Sequence, residues 1–353
     1  MVGVATGVRR GCGGGRTDVE AIVSRRPPPR GIAIIEFRPT LLGMEVVAAG
    51  LHHLTAVTAD PRANVRFYTR VLGLRLVKRT VNFDDPSAYH LYYGDAIGTP
   101  GTLLTFFHWP GASRGRVGAG QVGGIQLSAP HDSLDFWAER LRRAGCPVTP
   151  DTRFGAPLLI TSDPDGIPTE ILACREDPRP GWTGADVPPP YQLRGMAGAE
   201  LRVRDSGQTL RVLQELLGWR EVAAEADRRR LVAGPGQPGH WLELVGEPTA
   251  QSGRPGAGTV HHLALRAADA RASELLRARL RAAGAAPSPL IDRTYFRSVY
   301  FREPGGILLE IATDGPGFLV DETLAALGTG LMLPPAFASA RAEILAALPS
   351  LDD

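Results

Sequence analysis

Ten residues, Gly118-Ala119-Gly120-Gln121-Val122-Gly123-Gly124-Ile125-Gln126-Leu127, lie over another ten, Gly256-Ala257-Gly258-Thr259-Val260-His261-His262-Leu263-Ala264-Leu265, without a gap. Farther along each copy a second match follows, Asp163-Pro164-Asp165-Gly166-Ile167 against Glu303-Pro304-Gly305-Gly306-Ile307. A chain that repeats itself must fold as copies of one unit, and the unit then limits the architecture. Two more copies share another opening: Gly50-Leu51-His52-His53 leads to Asp60, and Gly195-Met196-Ala197-Gly198 leads to Asp205. Four modules result, at roughly 50–110, 118–176, 195–248 and 256–314, each the size of one supersecondary unit.

Inside a module the pattern reads strand, helix, then several strands. Short apolar residues around Leu54 and Ala56 fit a buried strand. Asp60 is placed to cap a helix, Pro61 fits its first turn, Val65, Tyr68 and Leu72 recur at helical spacing, and Gly73 ends it. Leu134, Trp137, Leu141 and Gly145 repeat the pattern in module 2, as do Leu276, Leu280 and Gly284 in module 4. Runs such as Tyr89–Tyr93 and Ser298–Phe301 are short and β-prone. The expected fold class is therefore α+β, four βαβββ modules forming two domains of paired modules.

Residues 49–176 carry modules 1 and 2, and 195–314 carry modules 3 and 4. The proline-rich stretch 177–194 between them reads as a linker. Residues 1–48, rich in Gly, Arg and Pro, read as a flexible extension, and Met44 is a second candidate start. The tail, 315–353, reads as helical around Glu322 to Leu327 and Ala336 to Leu348, with a packing role.

A formal net charge of +2, with no long Lys/Arg block, argues against a nucleic-acid partner. No apolar run reaches the roughly 18 residues that a membrane crossing needs. Arg9-Arg10 is followed by Gly11-Cys12-Gly13-Gly14 where an export signal would place its apolar core. Cys12, Cys146 and Cys174 form no CxxC pair, so neither a zinc cluster nor a disulfide framework is expected, and a reducing cytoplasmic setting fits.

Four of the eight histidines stand as two adjacent pairs, His52-His53 and His261-His262, on the first strands of modules 1 and 4. The other copies carry Gly123-Gly124 and Ala197-Gly198 there, so the fold itself does not require histidine. Side chains alternate across a strand, so one member of each pair faces a shared centre. His53 and His262 share a register, each seven residues before its helix-opening aspartate, Asp60 or Asp269. Glu310, inside the apolar run Ile307–Ala312, is costly to bury unless it meets a cation. Two imidazoles and a carboxylate that leave positions open suit Fe(II) and oxygen chemistry, with Mn(II), Zn(II) or Ni(II) able to use the same donors. Because these donors come from modules 1 and 4, those modules should enclose the metal and modules 2 and 3 should form a metal-free pair. Glu170 and Glu243, in modules without histidine, are expected to face solvent or pair locally.

At Gly50–Ala56, Leu76–Pro86, Tyr89–Asp95 and Tyr300–Gly306 the chain resembles the vicinal oxygen chelate superfamily of glyoxalase, bleomycin-resistance and extradiol dioxygenase proteins. More narrowly, it resembles the ring-cleaving dioxygenases that act on hydroquinones. The resemblance runs from about Gly50 into the tail. It implies Fe(II) held by His53, His262 and Glu310, surrounded by His52, Thr55, His261, Arg293 and Tyr300 as catalytic residues, with His90 and Tyr92 as further candidates to line the pocket. It implies a small aromatic diol and O₂ as partners, and a homo-oligomer is compatible with it. The superfamily offers two alternatives, a metal-dependent isomerase or thiol transferase and a resistance protein that binds an aromatic compound without transforming it.

Overall fold

The computed structural model describes residues 47–83 and 85–351 of the chain. Module 1 comprises β1 (Leu51–Thr58), α1 (Pro61–Arg66), β2 (Arg75–Val81), β3 (Tyr89–Gly94) and β4 (Leu103–His108). Module 2 comprises β5 (Gln121–Pro130), α2 (Leu134–Arg143), β6 (Thr149–Arg153), β7 (Ala156–Ser162) and β8 (Pro168–Cys174). Module 3 comprises β9 (Met196–Val203), α3 (Ser206–Arg211), β10 (Arg220–Glu225), β11 (Arg228–Val232) and β12 (Trp241–Gly246). Module 4 comprises β13 (Val260–Ala267), α4 (Ala270–Ala282), β14 (Ile291–Asp292), β15 (Arg297–Arg302) and β16 (Leu308–Thr313). All four follow the expected order.

The helices start and stop where local chemistry tells them to. Asp60 Oδ1 accepts from the amides of Arg62 and Ala63, and Asp269 Oδ1 from that of Ala272, so donors left over in the first turn are satisfied. In modules 1 and 3 the α-helix widens into a π-turn, Phe67–Val71 and Val212–Leu216, which marks these two as the more alike copies. Gly73 follows with φ +71°, a conformation that side chains with a Cβ rarely adopt. Tyr68, Leu72, Trp137, Leu141, Leu276 and Leu280 turn inward and are buried in the core.

Modules pair through their first strands. One eight-stranded sheet runs β14-β15-β16-β13-β1-β4-β3-β2 and the other β10-β11-β12-β9-β5-β8-β7-β6. The pairing of module 1 with 4 and of 2 with 3 is thus the one inferred from the donor pattern. β1 and β13 run antiparallel, while each lies parallel to the last strand of its own module, so the two modules are related by an approximate two-fold axis. Thr58 Oγ1 donates to Asp165 Oδ2 and Tyr68 to Asp163, which ties module 1 to module 2.

Among the segments outside the modules, Arg179 donates to the carbonyls of Gly101 and Met196 as the chain crosses between halves. Of residues 1–48 only Val47 and Ala48 are described; Ala48 is buried and its amide donates to Leu217, and Met44 lies outside the described residues. The tail is helical at Arg341–Ala347 (α5), after a 3-10 turn at Pro335–Ala340. Glu322 to Leu327, expected to be helical, is instead a run of turns. So short a stretch gains too few i→i−4 bonds to offset nucleation. Its charged end is drawn instead to the fully buried Lys78, which meets Asp321 at 2.6 Å and also contacts Glu322. No helix among the described residues is long and apolar enough to cross a membrane.

Candidate metal centre

On β1, β13 and β16 three side chains converge. His53 Nε2 lies 3.2 Å from His262 Nε2 and 3.3 Å from Glu310 Oε2, and His262 Nε2 lies 3.0 Å from the same oxygen. All three residues are buried. The strand registers explain the meeting: Thr55 stands opposite His262, His53 opposite Ala264, and Ala264 beside Glu310. Two register shifts in the β1–β13 pairing flank this stretch and re-aim its side chains. It is the only such group of metal-ligating residues among those described.

The neighbouring histidines assign the protons. His52 Nε2 lies 3.0 Å from the Thr313 carbonyl, which only accepts, so this nitrogen donates and Nδ1 of the neutral ring accepts. His53 Nδ1, 2.9 Å from His52 Nδ1, must then carry the proton, leaving a lone pair on His53 Nε2 that faces the centre. His261 Nδ1 lies 2.8 Å from His262 Nδ1, the same contact in the second pair; a proton on His262 Nδ1 leaves the lone pair of its Nε2 toward the centre. Burial, with the neighbouring imidazole adding to it, pushes His52 and His261 down to about 3, and burial also lowers His262, so these rings are neutral at pH 7. Burial raises the Glu310 carboxyl, and a positive charge among His53, His262 and Glu310 holds it well below the usual carboxylate range. Glu310 Oε1 accepts from Ser298 Oγ at 2.5 Å, whereas Oε2 has no hydrogen-bond partner.

Two lone pairs and an orphaned carboxylate oxygen, packed together in a buried site, repel one another unless a cation sits among them. Their separations of 3.0 to 3.3 Å are those of neighbouring donors each about 2.1 Å from one ion. The residues present therefore fit a divalent metal, and the donor set leaves positions open on it.

Around this centre the other expected residues fall into place unevenly. Arg293 Nε donates to Tyr300 Oη at 3.3 Å, and the Tyr300 ring lies edge-on to His262. Thr55, paired across the strands with His262, turns its hydroxyl to Thr105 Oγ1 at 2.7 Å. His52 has both nitrogens engaged. His90 Nε2 reaches Thr105 Oγ1 at 2.9 Å and His90 Nδ1 reaches Tyr92 Oη at 2.9 Å. Sequence reasoning missed Ser298, Thr105, Phe296 and Phe107. Phe296 packs on His52 and His53, and Phe107 on His261 and His90. Ser298 carried one usable signal, standing two residues from Tyr300 on the same strand and hence on the same face.

In the second sheet the equivalent concavity is closed by charge. Glu170, Glu200 and Glu243 are buried rather than facing solvent, and they meet arginines: Arg153 reaches Glu170 at 2.5 Å, Arg228 reaches Glu200 and Glu243 at 2.7 Å, and Arg230 reaches Glu243 at 2.6 Å. Local pairing, the other half of that expectation, is what occurs.

The model of the Glyoxalase/Bleomycin resistance protein/Dioxygenase superfamily matches residues 50–171 and 195–311. A Bacillus subtilis (strain 168) protein named "Putative ring-cleaving dioxygenase MhqE" is 44% identical over 303 residues, covering 86% of this chain and 99% of its own. The Sphingobium indicum chlorohydroquinone/hydroquinone 1,2-dioxygenase is 31% identical over 304 residues, covering 84% and 94%. A Bacillus subtilis crystal structure described as a "putative dioxygenase" superposes with a TM-score of 0.83 at 41% identity, covering 86% of this chain and 97% of that one. The chain belongs to the glyoxalase/bleomycin resistance protein/dioxygenase superfamily and, within it, stands with proteins named as ring-cleaving dioxygenases.

Proposed function

We propose that this protein is an Fe(II)-dependent dioxygenase that cleaves the aromatic ring of a hydroquinone with O₂, and that His53, His262 and Glu310 hold the metal. The observation that carries the reading is the orphaned Glu310 Oε2 facing the two imidazoles, flanked by Phe107 and Phe296. Bound there, Fe(II) would favour the phenolate form of the diol and supply the redox chemistry toward O₂. Mn(II) would fit the same donors. The protein's own groups do the rest. Phe107 and Phe296 flank the imidazoles and limit water. The Arg293 guanidinium, joined to the Tyr300 hydroxyl and within electrostatic reach of His262, would stabilise negative charge that develops on oxygen. His52, with both nitrogens committed, orients His53, so proton exchange with the pocket falls to the half-buried His261 at Nε2. The linker 177–194 joins the two halves, the tail serves packing, and the reading implies a cytoplasmic setting.

The test is metal analysis of protein purified without oxygen, followed by oxygen uptake with substituted hydroquinones. The expected result is one equivalent of iron and O₂ consumed in proportion to diol, with Glu310→Ala losing both the iron and the turnover, as removal of a ligand should. An isomerase or thiol transferase built on the same donors turns over without consuming O₂, and a binding protein leaves the diol intact. A fully active Glu310→Ala variant rejects the assignment.

A further inference from the structure

The approximate two-fold axis between modules 1 and 4 places a counterpart opposite each residue of the carboxylate side. On β15 and β16, Tyr300 stands across from Glu310, and Ser298 across from Ala312. On β3 and β4, Tyr92 stands across from Thr105, and His90 across from Phe107. The axis thus carries Glu310 to Thr105, Ser298 to His90 and Tyr300 to Tyr92. In module 4 this trio orders a carboxylate, through the Ser298 bond to Glu310. In module 1 the carboxylate is missing, and the equivalent residues form an uncharged chain, Thr55–Thr105–His90–Tyr92, linked at 2.7, 2.9 and 2.9 Å.

That chain always has one proton left over. Its three hydroxyls and one neutral imidazole carry four protons for three links, so one hydroxyl among Thr55, Thr105 and Tyr92 is left with an O–H that has no partner within the chain. Thr55, Thr105 and Tyr92 are all buried, and a buried donor left unmatched is costly. Tyr295 and Phe318 pack against the Tyr92 ring and fix its direction. Phe107 packs on both His90 and His262, and Tyr92 Oη lies 2.9 Å from His90 Nδ1, so this end of the chain borders the metal donors.

A 1,4-diol carries its two oxygens at opposite ends of the ring. One cation cannot hold both, so the second needs its own partner across the pocket. We propose that this partner is Tyr92 Oη, with His90 and Thr105 as the positioning residues behind it, and that the chain selects para-diols over simple phenols. The inference rests on the function proposed above and names the residue that would make it specific.

Calorimetric titration of the protein loaded with Fe(II), without oxygen, tests it, using hydroquinone and phenol as ligands. Wild type is expected to bind hydroquinone roughly tenfold more tightly than phenol, the worth of one good buried hydrogen bond. Tyr92→Phe, which removes a single oxygen from a packed ring, and His90→Gln should bring that ratio close to one while leaving phenol affinity unchanged. An equal affinity in wild type, or a ratio that survives in Tyr92→Phe, overturns the proposal and leaves the dioxygenase reading standing. A loaded wild type that binds neither ligand overturns both.

Discussion

Ser298 shows how much a single hydroxyl can decide. Its bond to Glu310 Oε1 fixes the carboxylate so that Oε2 faces the two imidazoles. Ser298→Ala should weaken metal binding by roughly 10- to 100-fold, as loss of a group that orients a ligand does, with little change in melting temperature. A chelator-competition titration measures this, and an unchanged affinity contradicts the orienting role. The contrast between residues that could and could not be read from sequence has a physical basis. His53, His262 and Glu310 were legible because a repeat supplied its own control, glycine where the other copies had histidine, and because a carboxylate in an apolar run is conspicuous. Ser298, Thr105, Phe296 and the Thr313 carbonyl were not, since each acts through a cross-strand neighbour or a backbone atom far away in the chain and is unremarkable in its own local sequence.

Among the elements, β6, β11 and β12 show what the second sheet does with the positions that carry the candidate metal donors in the first. Glu243 is fully buried and held by Arg228 and Arg230. Glu243→Gln leaves those guanidinium groups underpaired beneath the sheet and should cost about 3–5 kcal/mol, read as a lower denaturant midpoint at unchanged slope, while metal binding at the other sheet is unaffected. Stability within about 0.5 kcal/mol of wild type would show that the network is not holding the sheet. Strand and helix order was readable because Asp caps, Pro61 and terminating glycines punctuate each module. The arginines that fill the second concavity were not readable. They come from β6 and β11, and only closure of the sheet brings them over Glu170 and Glu243. The turns at Glu322 to Leu327 escaped for a similar reason: what determines them is the distant Lys78 rather than their own composition.

For the molecule as a whole, pairing of its outermost modules is the consequential event. Modules 1 and 4 lie some two hundred residues apart in sequence, His53 and His262 being separated by 209 positions, yet they share one sheet. Repeat counting gave four modules but could not by itself say which pairs with which; the placement of donors did. A cation held by donors from both modules would join the ends of the chain as well as supply chemistry, stabilising the folded state in proportion to its binding. The most direct measurement is anomalous diffraction at the iron edge from crystals grown and loaded with Fe(II) without oxygen. The account predicts one strong peak about 2.1 Å from each of His53 Nε2, His262 Nε2 and Glu310 Oε2. A peak elsewhere, or none at these residues in crystals that contain iron, would contradict it.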